Sequence, residues 1–365
     1  MPDKRAGATM ETVDRSPVRR ARELVMMLGR NATAYQILNP GIRHWFNARN
    51  DAVVGYVRRG SWLLVAGEPV CAPNGLPEAI GEFETFARAA GRHVCYVCAT
   101  ESTRTMLARY GNHSAVAIGA QPVWNPAEWR QAVRSRRNIR AQLNRARNKR
   151  VEIQTAAPET LAGHPEVRRT LDEWLHSRHL PPMHFLVEPE VLSGVTDDRI
   201  MLVARARSGI VAFLIASPVI ARNGFLIEEL ARSPRAPNGT SELLIDAAMD
   251  HFADAGCTWA TMGMVALARG TIAANPLWLR GLMTVARAHA NRFYNFRGLE
   301  RFRTKMHPAG WEKLYAISNE KQFSPQALYA MGGAFSGISP VLAIALAVLK
   351  GAREEMRTLG RRLSR

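Results

Sequence analysis

DAVVGYVRRGSWLLVAGEPV at residues 51–70 and DRIMLVARARSGIVAFLIASPV at residues 198–219 resemble each other and set the expected fold. Each stretch contains an apolar run, a basic turn with a glycine, and a second apolar run. The turns are Arg58-Arg59-Gly60 and Arg207-Ser208-Gly209. Runs rich in Val, Ile and Leu on both sides of a short turn predict a β-hairpin whose strands are both well buried. The chain is therefore expected to contain two similar hairpins.

A helix and a further strand are predicted after each hairpin. Residues 77–91 and 240–256 carry apolar side chains at helical spacing, and each segment ends at a glycine suited to a helix C-cap. Apolar runs at 94–99 and 258–262 follow. Strand–strand–helix–strand, found twice, predicts an α+β protein of two similar units in tandem, an order that GNAT-like and many other α+β folds share.

This pattern divides the chain into five segments. They are a basic, flexible N-terminus (1–32), a first α/β unit (33–126), a basic linker helix (127–150), a second α/β unit that is expected to hold the functional site (151–320), and an apolar then basic C-terminal tail (321–365).

The tail carries no charge from Gln322 to Leu349, and Lys350, Arg353 and Arg357 follow. Its length is enough to span a bilayer, but Pro340 and several glycines favour two interfacial or groove-packing helices instead. We expect the segment Ser324–Arg365 to hold the protein on the inner face of the cell membrane without crossing it.

Composition points to an anionic partner. The 365 residues include 49 Lys and Arg against 31 Asp and Glu, a formal net charge of +18. Such a balance favours nucleic acid, anionic lipid, or both. Cys95 and Cys98 have CxxC spacing but no second ligand pair, so buried thiols are expected rather than zinc. A surface loop is expected around His176, His179 and His184. Neither a metal nor a cofactor is expected.

Arg134–Arg150 reads RSRRNIRAQLNRARNKR, with eight basic residues and no acid. Ile139 and Leu143 form one narrow apolar edge of a helix, so the cations project away from it. We expect phosphate contacts, either with an RNA backbone or with lipid headgroups, because each cation that neutralises a phosphate releases counterions. A solvated basic face is the alternative. The side chains proposed to touch phosphate are Arg136, Arg137, Arg140 and Arg147.

Residues 228–242 read EELARSPRAPNGTSE and predict a strand, a loop and a helix start. Glu228 and Glu229 end the strand, and Thr240 or Ser241 suits the N-cap. A glycine before a helix lets the backbone approach a ligand, and the free N–H groups bind a phosphate or an oxyanion. An ordinary turn is the alternative. The candidate binding residues in the loop are Arg232, Arg235 and Gly239, and Glu242 lies in the first helical turn.

Aromatic side chains alternate with cations at 291–308, NRFYNFRGLERFRTKMHP. Aromatics can stack on a base while cations hold phosphate, but a core strand with a basic rim would look similar. On an extended segment Arg303 and Lys305 point the same way.

Several of these motifs resemble the C-terminal catalytic domain of the multiple peptide resistance factor family, the lysyl- and alanyl-phosphatidylglycerol synthases. They are ELAR (229–232), RAPNG (235–239), MGMVAL (262–267), FYNFRGL (293–299), RFRTK (301–305) and WE (311–312), with LNPG (38–41) and AGEPV (66–70) in the first unit. The likeness runs from about Tyr35 to Tyr315. The family usually has Asp at the position of Glu229 and Lys at that of Arg303.

The resemblance implies a tandem GNAT-like (acyl-CoA N-acyltransferase-like) fold with a bridging helix. It also implies an aminoacyl-tRNA donor and phosphatidylglycerol as acceptor, and, without a multi-helix flippase before it, the chain resembles a stand-alone synthase. Glu229 would hold the α-ammonium group, Arg232 the tRNA terminus or lipid phosphate, and Arg303 and Lys305 the acceptor phosphate. Glu242 would orient Arg232 or act as a base. The alternative is that these five residues form a structural ion-pair network beneath the cleft. The alternatives are an acyl-CoA-dependent acyltransferase and a non-catalytic RNA- or membrane-binding relative.

Overall fold

Both predicted hairpins are present, and they belong to one continuous mixed sheet. The computed structural model describes residues 16–157, 163–177, 185–186, 192, 197–289 and 296–337. In these residues the strands are β1 (Arg43–Phe46), β2 (Val53–Arg59), β3 (Trp62–Ala66), β4 (His93–Ala99), β5 (Ser114–Trp124), β6 (Glu152–Ala156), β7 (Ile200–Ala206), β8 (Gly209–Val219), β9 (Gly224–Arg232), β10 (Trp259–Thr261), β11 (Val265–Ala266) and β12 (Gly310–Ser318).

Helices cover both faces of this sheet. Within the described ranges they are α1 (Ser16–Leu28), α2 (Leu76–Ala89), α3 (Glu101–Ala108), α4 (Pro126–Ser135), α5 (Arg137–Asn148), α6 (Pro165–Ser177), α7 (Thr240–Asp254), α8 (Arg269–Ile272), α9 (Leu277–His289), α10 (Phe296–Lys305) and α11 (Pro325–Ser336). Helices α2 and α7 end before Gly91 and Gly256, whose φ angles of +65° and +73° fit the predicted glycine caps.

The strand order is β1-β2-β3-β4-β12-β5-β10-β9-β8-β7-β6, with β11 added beside β5. In the first unit α2 connects the parallel strands β3 and β4, and in the second unit α7 connects the parallel strands β9 and β10. The hairpin that precedes the crossover helix is therefore β2–β3 in one unit and β8–β9 in the other. The repeat seen in the sequence aligned β2–β3 with β7–β8. The structural equivalent of β2–β3 is β8–β9, so the sequence alignment of the second unit is one strand too early.

The two units share strands. β12 comes from the end of the second predicted unit, yet it lies between β4 and β5 of the first. The far end of β5 in turn pairs with β10. This exchange makes the sheet continuous, so the two predicted units do not form two separately packed bodies.

The N-terminus is more ordered than predicted. Residues 16–28 form α1, and Ala21, Leu24 and Val25 on one of its faces are at most 1% exposed in the apolar core. Its Arg22 forms an ion pair with Asp198 at 2.6 Å. The arginines between the apolar positions hid this amphipathic helix from the composition argument, and the prediction of a flexible 1–32 segment is wrong for residues 16–28.

The linker is two helices rather than one. Helices α4 and α5 are separated at Arg136, whose backbone is extended (φ −108°, ψ 102°). Both helices pack on α7: Trp129 of α4 donates a hydrogen bond to Asp246 at 2.9 Å, and Ile139 and Leu143 of α5 enter the same core. The change of direction lets both segments place their apolar edges on one neighbour.

The beginning of the predicted tail packs into the first unit. Ala327, Ala330 and Ala334 of α11 are buried in the core that α1 also covers. No helix within the described residues is long and apolar enough to cross a membrane. The predictions for residues 338–365 lie outside the described ranges.

The prediction of buried thiols is confirmed. Cys95 and Cys98 lie on β4, and burial raises the pKa of both to about 12. His176 lies in the last turn of α6, whereas His179 and His184 fall outside the described residues.

Candidate functional site

A cleft of about 390 Å³ opens where the two units share the sheet. Its walls come from β9, β5, β12, the turn after β10, α10 and the segment after α1. The residues with polar side chains that line it are Thr33, Gln36, Gln121, Glu229, Ser241 and Arg303, set among apolar ones such as Leu226, Met262, Phe302 and Leu314. A larger cavity of about 630 Å³ lies against α2 and α3, but the predicted site residues do not line it.

A β-bulge interrupts β9 where it borders the cleft. In the β8–β9 ladder Glu229 faces Ile215 and Ile227 faces Ala216, so Glu228 is the extra residue of the bulge. Neighbours on a regular strand point to opposite faces, whereas a bulge re-aims one of them. Both Glu228 and Glu229 consequently border the cleft, but the Glu228 side chain is fully buried, so that residue reaches the cleft only through its backbone. Glu229 is 7% exposed, and its Oε1 accepts a hydrogen bond from the backbone N–H of Leu230 at 3.2 Å.

Arg303 enters the cleft from α10. Its Nη1 donates a hydrogen bond to the backbone carbonyl oxygen of Gly263 at 2.7 Å. Gly263 has a φ of +70° in the turn after β10, a conformation that glycine adopts without strain. The turn and the helix thereby hold a cation in the same cleft as the Glu229 carboxylate.

The extended conformation predicted around Arg303 is wrong, because residues 296–305 are helical. Residues two apart on a helix point to different sides, so Arg303 and Lys305 diverge. Lys305 instead forms an ion pair with Glu242 of α7, with Nζ and Oε1 2.9 Å apart. Glu242 and Lys305 therefore connect α7 to α10, and neither lines the cleft.

Arg232 and Arg235 also lie away from the cleft lining. Arg232 is the last residue of β9 and faces Ala212 across the ladder. Arg235 forms an ion pair with Glu173 of α6, and the same carboxylate accepts a hydrogen bond from the Ser233 hydroxyl at 2.6 Å. Of the five predicted catalytic residues, the structure brings Glu229 and Arg303 together in one cleft.

Gly239 approaches another part of the chain closely. It precedes α7 with a φ of +93°, and a Cβ placed on it would lie 2.0 Å from the backbone oxygen of Gln142 in α5. The basic helix α5 thus covers the start of α7, where an anion site was predicted. The close backbone approach that Gly239 permits serves the packing of α5 on α7.

Gly239→Ala should therefore destabilise the protein more than an ordinary glycine substitution. Forcing a left-handed conformation on alanine costs about 1–2 kcal/mol, and the clash with Gln142 adds to that cost. Gly256→Ala is the matched control, because its φ is also positive but a Cβ there would meet no atom within 4 Å. Chemical denaturation of the two variants measures the difference, and equal losses would contradict the clash.

The basic helix α5 presents its cations to solvent, as predicted. Arg136, Arg137 and Arg140 are exposed and form no ion pair within the part of the chain that the structure describes. Arg147 is also exposed but pairs with Asp246 at 3.1 Å. Burial raises the pKa of Asp246, while hydrogen bonds from Trp129 and Arg147 oppose the shift. Three of the four predicted phosphate contacts are therefore available to an external anion.

Sequence reasoning missed a buried ion pair beneath the cleft. Arg199 and Glu228 have fully buried side chains with an N–O distance of 3.0 Å. Arg199 also donates to Asn39 Oδ1 at 2.7 Å, and its guanidinium lies 5.0 Å from the centre of the Tyr35 ring. The signal available was an arginine and a glutamate in otherwise apolar strand segments. This network joins the N-terminal segment to β7 and β9.

A second missed network lies on the β5 and β12 wall. Glu312 accepts two hydrogen bonds from Arg222, at 2.6 and 2.7 Å, and a third from Gln121 at 2.8 Å. Burial favours the neutral carboxyl, but these hydrogen bonds outweigh it and hold the pKa of Glu312 below its usual value. The Arg222 guanidinium stacks 4.1 Å from the Trp259 ring centre. Gln121, which lines the cleft, is thereby held in place.

Two solved structures share this fold across nearly their whole lengths. The first is the C-terminal domain of a putative lysylphosphatidylglycerol synthetase from Agrobacterium fabrum, with a TM-score of 0.72 and 22% identity over 88% of this chain and 98% of that one. The second is L-PGS from Bacillus licheniformis, with a TM-score of 0.71 and 21% identity over 92% and 96%. FemX matches more distantly, with a TM-score of 0.51 and 8% identity over 88% and 98%. The predicted tandem GNAT-like α/β fold is confirmed.

Residues 22–318 match the family described as phosphatidylglycerol lysyltransferase, C-terminal, and the chain belongs to that family. Among curated relatives, a phosphatidylglycerol lysyltransferase of Staphylococcus aureus (strain MRSA252) is 22% identical over 304 residues. That alignment covers 83% of this chain and 36% of the relative. The corresponding Staphylococcus epidermidis protein is 21% identical over 80% of this chain and 35% of its own length. The chain thus spans about a third of the curated relatives that it matches.

Proposed function

We propose that this protein transfers an aminoacyl group from aminoacyl-tRNA to phosphatidylglycerol or a related anionic lipid. The observation that carries the proposal is that Glu229 and Arg303 both line one largely apolar cleft. A carboxylate suits the α-ammonium of the aminoacyl group, and a guanidinium suits a phosphate. The apolar walls suit a lipid and exclude water from the ester.

The reaction is an ester exchange. The hydroxyl oxygen of the lipid attacks the carbonyl carbon of the aminoacyl ester, and a new carbon–oxygen bond forms. The bond from that carbon to the terminal ribose oxygen of the tRNA breaks, and the hydroxyl proton ends on the released ribose. Because the ester is already activated, the cleft has chiefly to position the two substrates and to stabilise the oxyanion.

Glu229 and Arg303 are the side chains that we propose to contact substrate. Glu242 and Lys305, which the sequence placed beside them, neutralise each other at 2.9 Å and hold α10 against α7. We assign them a positioning role, since α10 carries Arg303. Arg232 and Arg235 do not line the cleft, and Arg235 forms an ion pair with Glu173.

An acyl-CoA donor, the predicted alternative, fits less well. GNAT-type binding of a pyrophosphate uses the free N–H groups at a helix start. Here the backbone of α5 lies against Gly239, directly before α7. The position of α5 suits a tRNA better than acyl-CoA, because the phosphate backbone of a tRNA can bind along the exposed cations of that helix.

Replacement of Arg136, Arg137, Arg140 and Arg147 by alanine should weaken tRNA binding and flatten its salt dependence. Each lost phosphate contact should lower the slope of log affinity against log salt by roughly one unit. Arg147 should contribute least, because Asp246 already pairs with it. Filter binding across a salt series measures the slope. The control variant replaces Arg58, Arg88 and Arg109, three exposed arginines of the first unit, and should keep the wild-type slope. An unchanged slope in the variant of the four arginines at 136–147 would contradict their assignment to tRNA phosphate.

We propose that the protein lies peripherally on the inner face of the cell membrane and that residues 338–365 contribute to this. The segment is apolar and then basic, and each cation near an anionic surface adds roughly 1 kcal/mol. Deletion should begin after Gly337, because α11 fills the core and its loss would unfold the first unit. The truncated protein should shift to the soluble fraction of lysed cells while still acting on detergent-dispersed lipid. Complete retention on membranes would contradict the role of the tail.

Lipid extraction from cells with and without this protein tests the activity in vivo. Mass spectrometry should detect an aminoacylated phosphatidylglycerol, or a related aminoacyl lipid, only in cells that contain the protein. The mass difference identifies the amino acid. Identical lipid profiles from the two cells would count against the transfer.

A further inference from the structure

Helix α9 has an unusually apolar outer face. Leu277 is 80% exposed, the highest value among the large apolar side chains that the structure describes. Trp278 and Leu282 on the same helix are 44% and 49% exposed. Large apolar groups grouped in this way on a surface mark an interaction site, because each would gain from leaving water.

The inner face of the same helix is fixed in the core. Leu279 and Met283 are 0% and 5% exposed and belong to the core cluster that also holds Leu314 and Met264. Leu314 and Met264 line the central cleft. Helix α9 therefore forms the outside of a wall whose inside faces the cleft.

The end of α9 is tied to the helix that carries Arg303. Arg287 forms an ion pair with Glu300 of α10 at 2.5 Å, and both side chains are largely buried. Arg287 also donates to the backbone oxygen of Leu267. A body that touched α9 would consequently lie next to the cleft.

The charge of the exposed face selects the kind of partner. α9 contains arginines and no acidic residue, and its Arg280 is exposed between Trp278 and Leu282. The whole chain has a net charge of +18. Tryptophan and leucine beside a cation are typical of helices that lie in the interface of an anionic bilayer.

We propose that the outer face of α9, defined by Leu277, Trp278, Arg280 and Leu282, inserts into the headgroup region of an anionic bilayer and orients the cleft towards it. The role of this contact in lipid delivery rests on the proposed function. The contact between α9 and the bilayer does not depend on the transfer reaction. The apolar side chains enter the interface, Arg280 meets lipid phosphate, and lipid then reaches the cleft along the adjacent wall.

Sedimentation with vesicles of phosphatidylcholine, with and without phosphatidylglycerol, tests the contact in the full chain. Leu277→Ser/Leu282→Ser should weaken binding to the anionic vesicles by about tenfold or more, while Leu282→Trp should strengthen it. Both positions are exposed, so thermal unfolding should stay unchanged. Tyr110→Ser is the matched control: this side chain is 56% exposed, but it follows α3 on the opposite face of the first unit and should not affect binding.

Transfer assays separate this proposal from the proposed function. The double serine variant should lose transfer to vesicle lipid but keep transfer to monomeric short-chain phosphatidylglycerol. If wild type transfers to neither lipid while the vesicle binding still depends on Leu277 and Leu282, the function fails and the docking face stands. Vesicle binding that the serine substitutions leave unchanged would overturn the docking face. Loss of a wild-type dimer in those variants, with vesicle binding intact, would assign the surface to self-association and equally overturn it.

Discussion

Arg303→Ala should reduce the rate of aminoacyl transfer at least about 100-fold, the loss expected when one preorganised donor to the reacting group is removed. Arg303 lines the cleft and is held by the Gly263 carbonyl oxygen, so it is positioned before substrate arrives. The free energy of unfolding should change by only about 1 kcal/mol, because the side chain faces a pocket rather than the core. Initial rates and thermal unfolding measure the two quantities.

Two further variants sharpen this prediction. Arg301→Ala removes an exposed arginine from the same helix and should transfer at the wild-type rate. Glu229→Gln keeps the shape of the side chain but removes the charge proposed to hold the ammonium group, so it should lose transfer as Arg303→Ala does. If Arg303→Ala transfers normally, or unfolds, the assignment of a substrate contact is wrong.

Glu228→Gln should destabilise the protein by about 3–5 kcal/mol, the usual cost of removing one partner from a buried ion pair. The substitution leaves the Arg199 guanidinium charged and without its carboxylate in a site where both side chains are fully buried. Neither the hydrogen bond of Arg199 to Asn39 nor its contact with the Tyr35 ring supplies a negative charge in place of the Glu228 carboxylate. Urea unfolding measures the loss.

A double-mutant cycle provides the control. Arg199→Met/Glu228→Leu removes both charges and replaces them with apolar groups, so it should cost less than either single substitution. Losses that simply add would show that the two side chains act independently. A smaller loss in the double variant would support a structural role for Glu228, in contrast to the substrate contact proposed for Glu229 beside it.

The order of elements was predictable because local signals coincided. Apolar runs, basic glycine turns and glycine caps agree along both units, and they predict the hairpins and the crossover helices α2 and α7. The pairing of strands was not predictable in the same way. The place of β12 between β4 and β5 depends on contacts between residues about 200 positions apart, such as Tyr315 with Ala99 and Ala117.

The residues that line the cleft were predicted only in part, for a similar reason. Glu229 and Arg303 were found from motifs, but their neighbours in sequence were assigned to the same cleft by proximity alone. The helix at 296–305 sends Lys305 away from Arg303, and the bulge at Glu228 reverses the expected alternation on β9. A bulge has no periodic signature, and a short basic helix with aromatics resembles a strand in composition. Both features depend on tertiary packing and therefore could not be predicted from local sequence patterns.

Aminoacyl transfer can be assayed with the purified protein, tRNAs charged with labelled amino acids, and phosphatidylglycerol vesicles. We expect label to move from the tRNA ester into an aminoacylated lipid, the product to form only with charged tRNA, and Arg303→Ala not to form it. Absence of any aminoacyl lipid with wild-type protein, together with lipid or amine acylation from labelled acyl-CoA, would contradict the proposed transfer.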